Sequence, residues 1–397
     1  MWPVWALVVT DAVLLGAALV VFALFHHVLP RHEASVGLVS SRESAATVQM
    51  EAPAVDAPQQ TPPPVDEALA VSLDAAEDGD FFLPGEDEAG DAAPDGAAAD
   101  AGETPDAAEA DETPDEAEEE EYDGEPEALE PQGDTAAAPP AILGYFGDSF
   151  PDKFTQGDVV KTKTGYQSEN VNITLKGFKA NGQRFYVADI YVKDISCVQT
   201  TFAEDTFGRG FREPTTTLNR KLGGIIAING DYYGARSDGI VIRNGVLYRS
   251  EDFPKRDVCV LYWNGVMETY DPVLFDANAA MRDGAYQAWN FGPKLLDENG
   301  AAMEHFNSDV DSPNPRTALG YYEPGHYCFV VVDGRQGNYH GMTLKQLSAL
   351  MQQLGCARAY NMDGGNTSVM VVGNRVVNHP SGGGRKTSDI ISIVDIQ

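Results

Sequence analysis

Short apolar runs alternate with glycine- and asparagine-rich turns throughout the C-terminal part of the chain. From about Ala141 onward, Val, Ile, Tyr and Phe cluster in these runs, which is the pattern of β-strands. Asn244-Gly245, between two such runs, is a typical hairpin turn. The predicted strands are 171–178, 184–192, 224–228, 239–242, 258–262, 318–322, 328–332, 368–372 and 390–394. About 255 residues are enough for one large domain, 141–397, and the many hairpin-like runs predict a mixed β-sheet of the α+β class.

One stretch predicts a different pattern, a βαβ unit. The order is a strand at 329–332, a helix at 343–354 and a strand at 357–362. Thr343 and Gln346 form a capping box at the start of the helix. Because the two strands of such a unit run parallel, Asp333 and Asp363 are expected at the same carboxyl edge, even with one strand between them. Ligands of α/β sheets bind at that edge.

The N-terminal residues have the character of a membrane span. Residues 12–29 are apolar apart from His26 and His27, a length of about one bilayer crossing. A cleaved signal peptide is the alternative, but no basic region precedes the apolar run and no small-residue cleavage site follows it. We therefore expect residues 1–30 to be an uncleaved single-pass anchor in the cell membrane, with the C-terminal domain on the extracytoplasmic side. The nearby basic residues do not decide this orientation.

Residues 31–140 are predicted to be a disordered acidic linker. Residues 51–140 contain 30 Asp and Glu and no Lys or Arg, whereas the other 307 residues carry 31 acids and 27 bases. This segment is rich in Ala and Pro and cannot bury enough apolar surface to offset its chain entropy. The acidity therefore belongs to one segment and makes a nucleic-acid partner improbable.

The four cysteines, Cys197, Cys259, Cys328 and Cys356, include no Cys-x-x-Cys pair, so zinc or thioredoxin-like chemistry is not expected. Disulfides and buried free thiols both remain open. The chain also lacks a Gly-x-Ser-x-Gly elbow and a His-Glu-x-x-His motif, which disfavours a serine hydrolase or a zinc enzyme.

Polar, glycine-containing turns follow several of the strands. The most informative is residues 361–368, Asn-Met-Asp-Gly-Gly-Asn-Thr-Ser, which we call the octapeptide. It combines a carboxylate, hydroxyls and amides with two glycines, which allow the backbone N–H groups to approach a ligand. A cationic loop at 381–388, Ser-Gly-Gly-Gly-Arg-Lys-Thr-Ser, has the wrong glycine spacing for a Walker motif and precedes a strand.

Six motifs occur in the order found in one known family. They are Asn-Gly-Asp-Tyr-Tyr at 229–233, Gly-Ile-Val-Ile-Arg-Asn-Gly at 239–245, Pro-Arg-Thr-Ala-Leu-Gly at 315–320, Val-Val-Asp-Gly-Arg at 331–335, Gly-Met-Thr-Leu at 341–344 and the octapeptide. From about Leu218 to Gln397 the chain thus resembles the phosphodiester glycosidase family, which contains the "uncovering" enzyme N-acetylglucosamine-1-phosphodiester α-N-acetylglucosaminidase and bacterial exopolysaccharide-associated proteins. Two departures from the family pattern are the acid Asp231 and the pair Asn366 and Thr367, which leave substrate choice more open than reaction type.

The resemblance implies hydrolysis of a sugar-1-phosphodiester at the anomeric bond, on a cell-envelope or exopolysaccharide glycan. A carboxylate near the anomeric carbon and a guanidinium near the phosphate suit that reaction. We assign Asp363 to the anomeric side, Arg316 to the phosphate, and Asp231 to sugar hydroxyls or to a water molecule. The substrate-binding candidates are Asn229, Gly364, Gly365, Thr367, Ser368, Thr317, Asp333 and Arg385.

Two alternatives to this glycosidase remain open. The Asp- and Asn-rich loops also suit a non-catalytic module that binds a glycan or a calcium ion at a cell surface. Cleavage of the P–O bond would instead make the protein a phosphodiesterase. No cofactor is certain from the sequence; a divalent cation, calcium, is the one candidate, and its ligands are not identified.

Overall fold

The computed structural model describes residues 73, 76–77, 79–83, 122–133, 144–251, 254–308 and 310–396. Within these ranges, no helix is both long and apolar enough to cross a bilayer. The anchor predicted at 12–29 lies outside the described residues, as does most of the predicted linker.

Twenty strands account for most of the regular secondary structure in the described ranges. In chain order they are β1 (Ala76–Glu77), β2 (Glu127–Ala128), β3 (Val160–Lys161), β4 (Gly165–Gln167), β5 (Val171–Ala180), β6 (Gln183–Val192), β7 (Val198–Phe202), β8 (Gly208–Arg209), β9 (Ile226–Asn229), β10 (Gly239–Arg243), β11 (Val246–Glu251), β12 (Val258–Tyr262), β13 (Met267–Tyr270), β14 (Ala285–Trp289), β15 (Arg316–Glu323), β16 (His326–Asp333), β17 (Arg358–Met362), β18 (Met370–Val372), β19 (Arg375–Val376) and β20 (Asp389–Ile393). Three α-helices accompany them in the described ranges, α1 (Thr215–Leu222), α2 (Ala277–Arg282) and α3 (Leu344–Gln353).

Three large sheets organise these strands. The first has the order β17-β15-β16-β6-β5-β4-β3, with β1 also paired to β5. The second has the order β11-β10-β14-β12-β13, and the third has the order β19-β18-β9-β20-β7. The pairings between these strands are antiparallel, as the abundance of hairpin-like runs predicted. The sheet-rich α+β class with few helices is therefore confirmed.

The predicted βαβ unit is present, with one strand inside it. Strands β16 and β17 both pair antiparallel with β15, which lies between them, so β16 and β17 run parallel to each other. Helix α3 connects them, and its capping box between Thr343 and Gln346 is formed as predicted. Asp333 and Asp363 therefore follow strands that end at the same edge of the first sheet.

The hydrophobic core lies between the sheets and under α3. Ile173 and Phe329 of the first sheet, Ile228 and Ile391 of the third and Trp289 of the second belong to one buried cluster. On the other face of the first sheet, α3 buries its apolar stripe, including Leu344, Leu347 and Leu350, against strands β15 and β16. Burying each such leucine stabilises the fold by about 1.5–3 kcal/mol. The first sheet is therefore packed on both faces, against the other two sheets on one side and against α3 on the other.

Two segments of the predicted linker are ordered against the domain. Residues 79–83 and 122–133, the docked segments, make backbone hydrogen bonds to it: Phe81 N donates to Lys163 O (2.7 Å), and Leu129 N donates to Phe207 O (2.9 Å). Phe81 and Phe82 are buried, and Phe81 belongs to the main core cluster. The prediction of continuous disorder over 31–140 is therefore wrong at these segments. It rests on the average composition of the segment, whereas Phe81, Phe82 and Leu129 individually pack against apolar residues of the domain.

The four cysteines are buried free thiols, which is one of the two alternatives that the sequence left open. The sulfur atoms of Cys328 and Cys356 lie 3.6 Å apart between β16 and the segment before β17. Burial raises the pKa of the Cys356 and Cys259 thiols well above the ordinary range, which keeps both protonated at neutral pH.

Candidate active site

The candidate site lies where the ends of three neighbouring strands meet. Strand β15 begins at Arg316, β16 ends at Asp333 and β17 ends at Met362, with Arg316 opposite Val332 and Thr317 opposite Met362. Adjacent strands lie about 4.8 Å apart, so this register brings the residues that flank each strand end into one small region. The octapeptide begins in β17 and leaves the sheet at Asp363.

Two glycines shape the octapeptide. A short 3-10 turn covers Gly365–Thr367, and Gly365 has a φ of 62°, in the left-handed region that favours glycine. At Gly364 the constraint is space, because a Cβ atom there would lie 2.9 Å from the carbonyl oxygen of Pro315. The same oxygen accepts a hydrogen bond of 3.0 Å from Gly365 N. These glycines therefore press the octapeptide onto the residue that precedes β15.

Asp363 and Arg385 form an ion pair at this turn. Arg385 Nη2 lies 3.0 Å from one carboxylate oxygen of Asp363 and 3.3 Å from the other. Arg385 also donates from Nε to Thr367 Oγ1 (2.8 Å), and its backbone N donates to Asn366 O (2.7 Å). The Asp363 carboxylate is 6% exposed and the Arg385 side chain 34% exposed. The guanidinium thus forms the solvent-facing part of the pair.

An aromatic ring lies beneath this guanidinium. The Tyr232 ring centroid is 5.1 Å from Arg385 Cζ, a cation–π distance. Tyr232 precedes the short turn Tyr233–Ala235, which follows strand β9. The ring and Thr367 therefore fix the direction of Arg385 from two sides. Tyr232 lies in the motif at 229–233, from which no role for it was predicted.

Asn229 anchors the octapeptide from the buried side. It is 0% exposed, and its Nδ2 donates to the backbone oxygen of Asp363 (2.8 Å). Its Oδ1 accepts from Thr317 Oγ1 (2.9 Å) and from Val369 N (3.2 Å). Complete burial rules out the predicted contact between Asn229 or Thr317 and a sugar in this conformation. Both side chains instead join the third sheet to the site edge of the first.

Ser368, the last residue of the octapeptide, is buried beside this network. Its Oγ makes no hydrogen bond within the described part of the chain, although its backbone oxygen accepts from Asn378 Nδ2 (2.9 Å). The structure thus brings together Asp363, Gly364, Gly365, Thr367 and Arg385, with Ser368, Asn229 and Thr317 behind them; Asp363 and Thr367 are buried, and Arg385 is partly exposed.

Asp333 lies next to the octapeptide but is fully engaged with other groups. Its carboxylate accepts from Arg184 Nε (2.5 Å), Asn378 Nδ2 (3.0 Å) and His379 N (2.9 Å). Asn378 also donates to Ser368 O, so Asp333 is connected to the octapeptide through one side chain. At 0% side-chain exposure Asp333 anchors the neighbouring loop, and its predicted contact with substrate is not supported.

The guanidinium of Arg316 is directed away from the site. Its Nε donates to Met342 O (3.0 Å), and its Nη2 donates to Ser312 O (2.8 Å) and Val310 O (3.2 Å). Burial lowers the pKa of Arg316 to about 10, which still leaves it charged at neutral pH. The predicted contact between Arg316 and a phosphate is therefore corrected: this side chain fixes the loop before β15.

Asp231 is also an internal residue. Its carboxylate accepts from Tyr233 N (3.1 Å) and Asn290 N (3.1 Å) and pairs with Arg243 at 3.2 Å. Arg243 Nε in turn donates to Asp389 Oδ2 (2.7 Å). At 3% side-chain exposure and with these partners, Asp231 serves the interior of the protein in this structure, and its assignment to sugar hydroxyls or water stays a prediction. The buried charges fix the turn that carries Tyr232.

Arg335 is a second cationic residue next to the octapeptide. Its guanidinium lies about 3.5 Å from the position that a Cβ atom of Gly365 would occupy, and its Nη2 donates to Asn314 Oδ1 (2.9 Å). The residue is exposed. In the sequence, Arg335 belongs to the motif Asp-Gly-Arg at 333–335, from which only Asp333 was predicted to bind substrate. No group of three or more His, Cys, Asp or Glu side chains in the described ranges is arranged to hold a metal ion.

A known protein family matches the part of the chain that carries this candidate site. Residues 223–394 match the family described as phosphodiester glycosidase (NAGPA), a class of hydrolases. The matched region includes the octapeptide, Asn229 and Arg385.

Three relatives show how far the similarity extends. The SPbeta prophage-derived uncharacterized protein YomE of Bacillus subtilis (strain 168) is 27% identical over 223 residues, 51% of this chain and 35% of the relative. The chain thus spans about a third of the length of that curated relative. The zebrafish N-acetylglucosamine-1-phosphodiester alpha-N-acetylglucosaminidase catalytic domain, auto-inhibited by its pro-peptide, is 18% identical with a TM-score of 0.47, covering 62% of this chain and 86% of that one. A hypothetical protein from Synechocystis is 14% identical with a TM-score of 0.46, covering 57% and 62%.

Proposed function

We propose that this protein hydrolyses a sugar-1-phosphodiester at the anomeric C–O bond, releasing the sugar and leaving a phosphomonoester on the acceptor. The observation that carries the proposal is the Asp363–Arg385 pair. One carboxylate and one partly exposed guanidinium lie 3.0 Å apart on a glycine turn at a sheet edge, in a phosphodiester glycosidase domain.

The charges of the reaction match the charges of this pair. Breaking the anomeric C–O bond builds positive charge on the sugar ring, which a carboxylate stabilises as nucleophile, as base for water or through its field. Asp363 is the acid of the octapeptide and is held by Asn229 from behind, so its carboxylate is the group proposed for the anomeric side. A preorganised carboxylate needs no reorganisation when that charge develops.

The departing phosphate requires cations and N–H donors. A guanidinium pairs bidentately with phosphate oxygens, and Arg385 replaces Arg316 in that role because its guanidinium is a third exposed. Arg335, on the Gly365 side of the turn, is the second proposed phosphate ligand. Since a phosphate group is already a good leaving group with a second pKa near ~6, strong general-acid assistance is not required.

The proposed substrate is a phosphodiester-linked glycan of the cell envelope or an exopolysaccharide. The apolar stretch at 12–29 supports placement at a cell membrane, with the domain on the extracytoplasmic side. The acidic segment between that stretch and the domain supports a tether that gives the enzyme reach along a polymer.

The decisive assay incubates the full-length protein, in detergent micelles, with a synthetic sugar-1-phosphodiester and identifies the products by mass spectrometry. Free sugar together with an acceptor phosphomonoester is the expected result. Release of sugar-1-phosphate would show P–O cleavage and make the protein a phosphodiesterase. Binding without any product, in the presence or absence of calcium, would support the non-catalytic module instead.

A further inference from the structure

A cavity of about 210 Å³ is lined in part by Arg184 and His379, which both contact Asp333. It is lined by Phe81, Phe178, Arg184, Tyr186 and His379, with two glycines that leave room for their rings. Cavities for drug-sized ligands measure about 300–1,000 Å³, so this one suits a single small ring.

The walls of the cavity are of two kinds. Phe81 and Tyr186 form an aromatic wall, with ring centroids 6.3 Å apart in an edge-to-face arrangement. The second wall is polar and consists of Arg184 and His379. The His379 side chain is 57% exposed, and its Nδ1 lies 2.9 Å from Tyr186 Oη. An apolar face beside cationic and polar donors suits a ligand that has one apolar face and several hydroxyl or acid groups, as a sugar phosphate has.

The cavity is connected to the ion pair by short links. Asp333 accepts from Arg184 and from the backbone of His379, and Asn378 bridges Asp333 to Ser368 of the octapeptide. From His379 the chain reaches Arg385 in six residues. The cavity and the ion pair are therefore joined through Asp333, Asn378 and the loop that runs from His379 to Arg385.

One wall of the cavity comes from the acidic linker. Phe81 is held there because its N–H donates to Lys163 O (2.7 Å) and its carbonyl oxygen accepts from Arg375 Nη2 (2.8 Å). Lys163 also pairs with Asp80 at 3.2 Å. Phe82, the next residue, lies in contact range of Tyr166, with ring centroids 6.5 Å apart, and does not line the cavity.

We infer that this cavity is the acceptor subsite of the enzyme: it binds the sugar that keeps the phosphate after hydrolysis, and the docked segment 79–83 completes it. This inference rests on the proposed function. It gives the linker a second role, because a segment outside the glycosidase domain then contributes to substrate recognition.

The test compares two substrates that share the same sugar-1-phosphate but carry either a methyl group or a hexose as acceptor. For the hexose substrate, the KM of Phe81→Ala and of His379→Ala is expected to rise about tenfold, while the KM of the methyl substrate stays within twofold. Phe82→Ala is the matched control, since it removes a phenyl ring from the same docked segment and leaves the cavity wall intact. It is expected to leave the ratio of the two KM values unchanged.

Equal changes in KM for both substrates would overturn the inference.

A direct binding measurement keeps the inference separate from the proposed function. Glucose 6-phosphate added to the full-length protein is expected to shift the imidazole resonances of His379 in NMR spectra, and Phe81→Ala is expected to weaken that binding about tenfold. Absence of a shift would reject the subsite even if the enzyme is active, whereas an inactive enzyme that shows the shift would reject only the proposed hydrolysis.

Discussion

The side-chain amide of Asn229 donates a hydrogen bond of 2.8 Å to the backbone oxygen of Asp363 and so joins two separate sheets at the candidate active site. Asn229 ends strand β9 of the third sheet, and Asp363 directly follows strand β17 of the first. The amide also bonds to Thr317, Val369 and the backbone oxygen of Gly230, so one buried side chain fixes where the octapeptide leaves the sheet. The position of the carboxylate therefore depends on a residue that no ligand reaches.

Replacing Asn229 with Ala is expected to reduce kcat about ten- to a hundredfold with little change in KM. The reason is that four partners lose their hydrogen bonds to this side chain, at a cost of about 1–3 kcal/mol for each buried group left unpaired, and the carboxylate loses its support. Activity per folded molecule is the measurement. Asn219→Ala is the matched control, because Asn219 is equally buried and bridges Gly224 O and Gly373 O on the same sheet. If both variants lose only stability, Asn229 is not a positioning residue.

Asp363→Asn is expected to reduce hydrolysis on the order of a thousandfold, with the thermal unfolding midpoint nearly unchanged. The amide keeps the shape of the side chain but cannot carry the negative charge that stabilises the sugar cation. Asp189→Asn provides the control, since Asp189 is paired with His326, the residue that begins β16 at the end opposite Asp333. Turnover by Asp363→Asn at half the normal rate or more would remove Asp363 from the mechanism.

Arg385→Lys is expected to raise KM roughly ten- to a hundredfold, because an ammonium cannot make the paired hydrogen bonds of a guanidinium with phosphate. Arg316→Lys is expected to behave differently: it should lower stability by loss of bonds to Met342, Ser312 and Val310, with KM unchanged. Steady-state kinetics and thermal melts of both variants separate these roles. A large KM effect at Arg316 with none at Arg385 would restore the assignment made from sequence.

The buried pair of Asp389 and Arg243 predicts a pH dependence of stability. Burial raises the pKa of Asp389 from 3.8 to about 7, although the charge of Arg243 opposes the rise. The folded state then binds more protons than the unfolded state between about pH 4 and pH 7, so this carboxyl lowers the free energy of unfolding as pH rises through that window. In Asp389→Asn, the slope of that free energy against pH is expected to become more positive there. Chemical unfolding at several pH values measures it, and parallel curves for both proteins would contradict the prediction.

Much of the fold followed from hydrophobic patterning. Strand β12 (Val258–Tyr262) has the predicted bounds, and Asn244-Gly245 forms the predicted turn between β10 and β11. Strand β14 (Ala285–Trp289) was missed because its polar residue, Gln287, is completely buried and pairs with the Asn244 side chain. Alternation cannot identify a strand that is buried on both faces.

The site was predictable at the level of strand ends but not of side-chain direction. Asp363 lies at the sheet edge because it follows the strand of a βαβ unit, which the sequence pattern indicated. Arg316 and Asp231 also lie near strand ends, yet both point into the protein, where carbonyl oxygens and Arg243 bind them. Ser312 and Val310 lie within six residues of Arg316, but Met342 comes from another loop and Arg243 from strand β10, so the local sequence pattern does not show which way either side chain points.

The most direct test of the central claim is hydrolysis in water enriched in ¹⁸O. Cleavage of the anomeric C–O bond places the label in the hydroxyl group at C1 of the released sugar and none in the phosphomonoester, and this labelled product disappears with Asp363→Asn. Label found in the phosphate instead, or labelled sugar formed equally well by Asp363→Asn, would contradict the account.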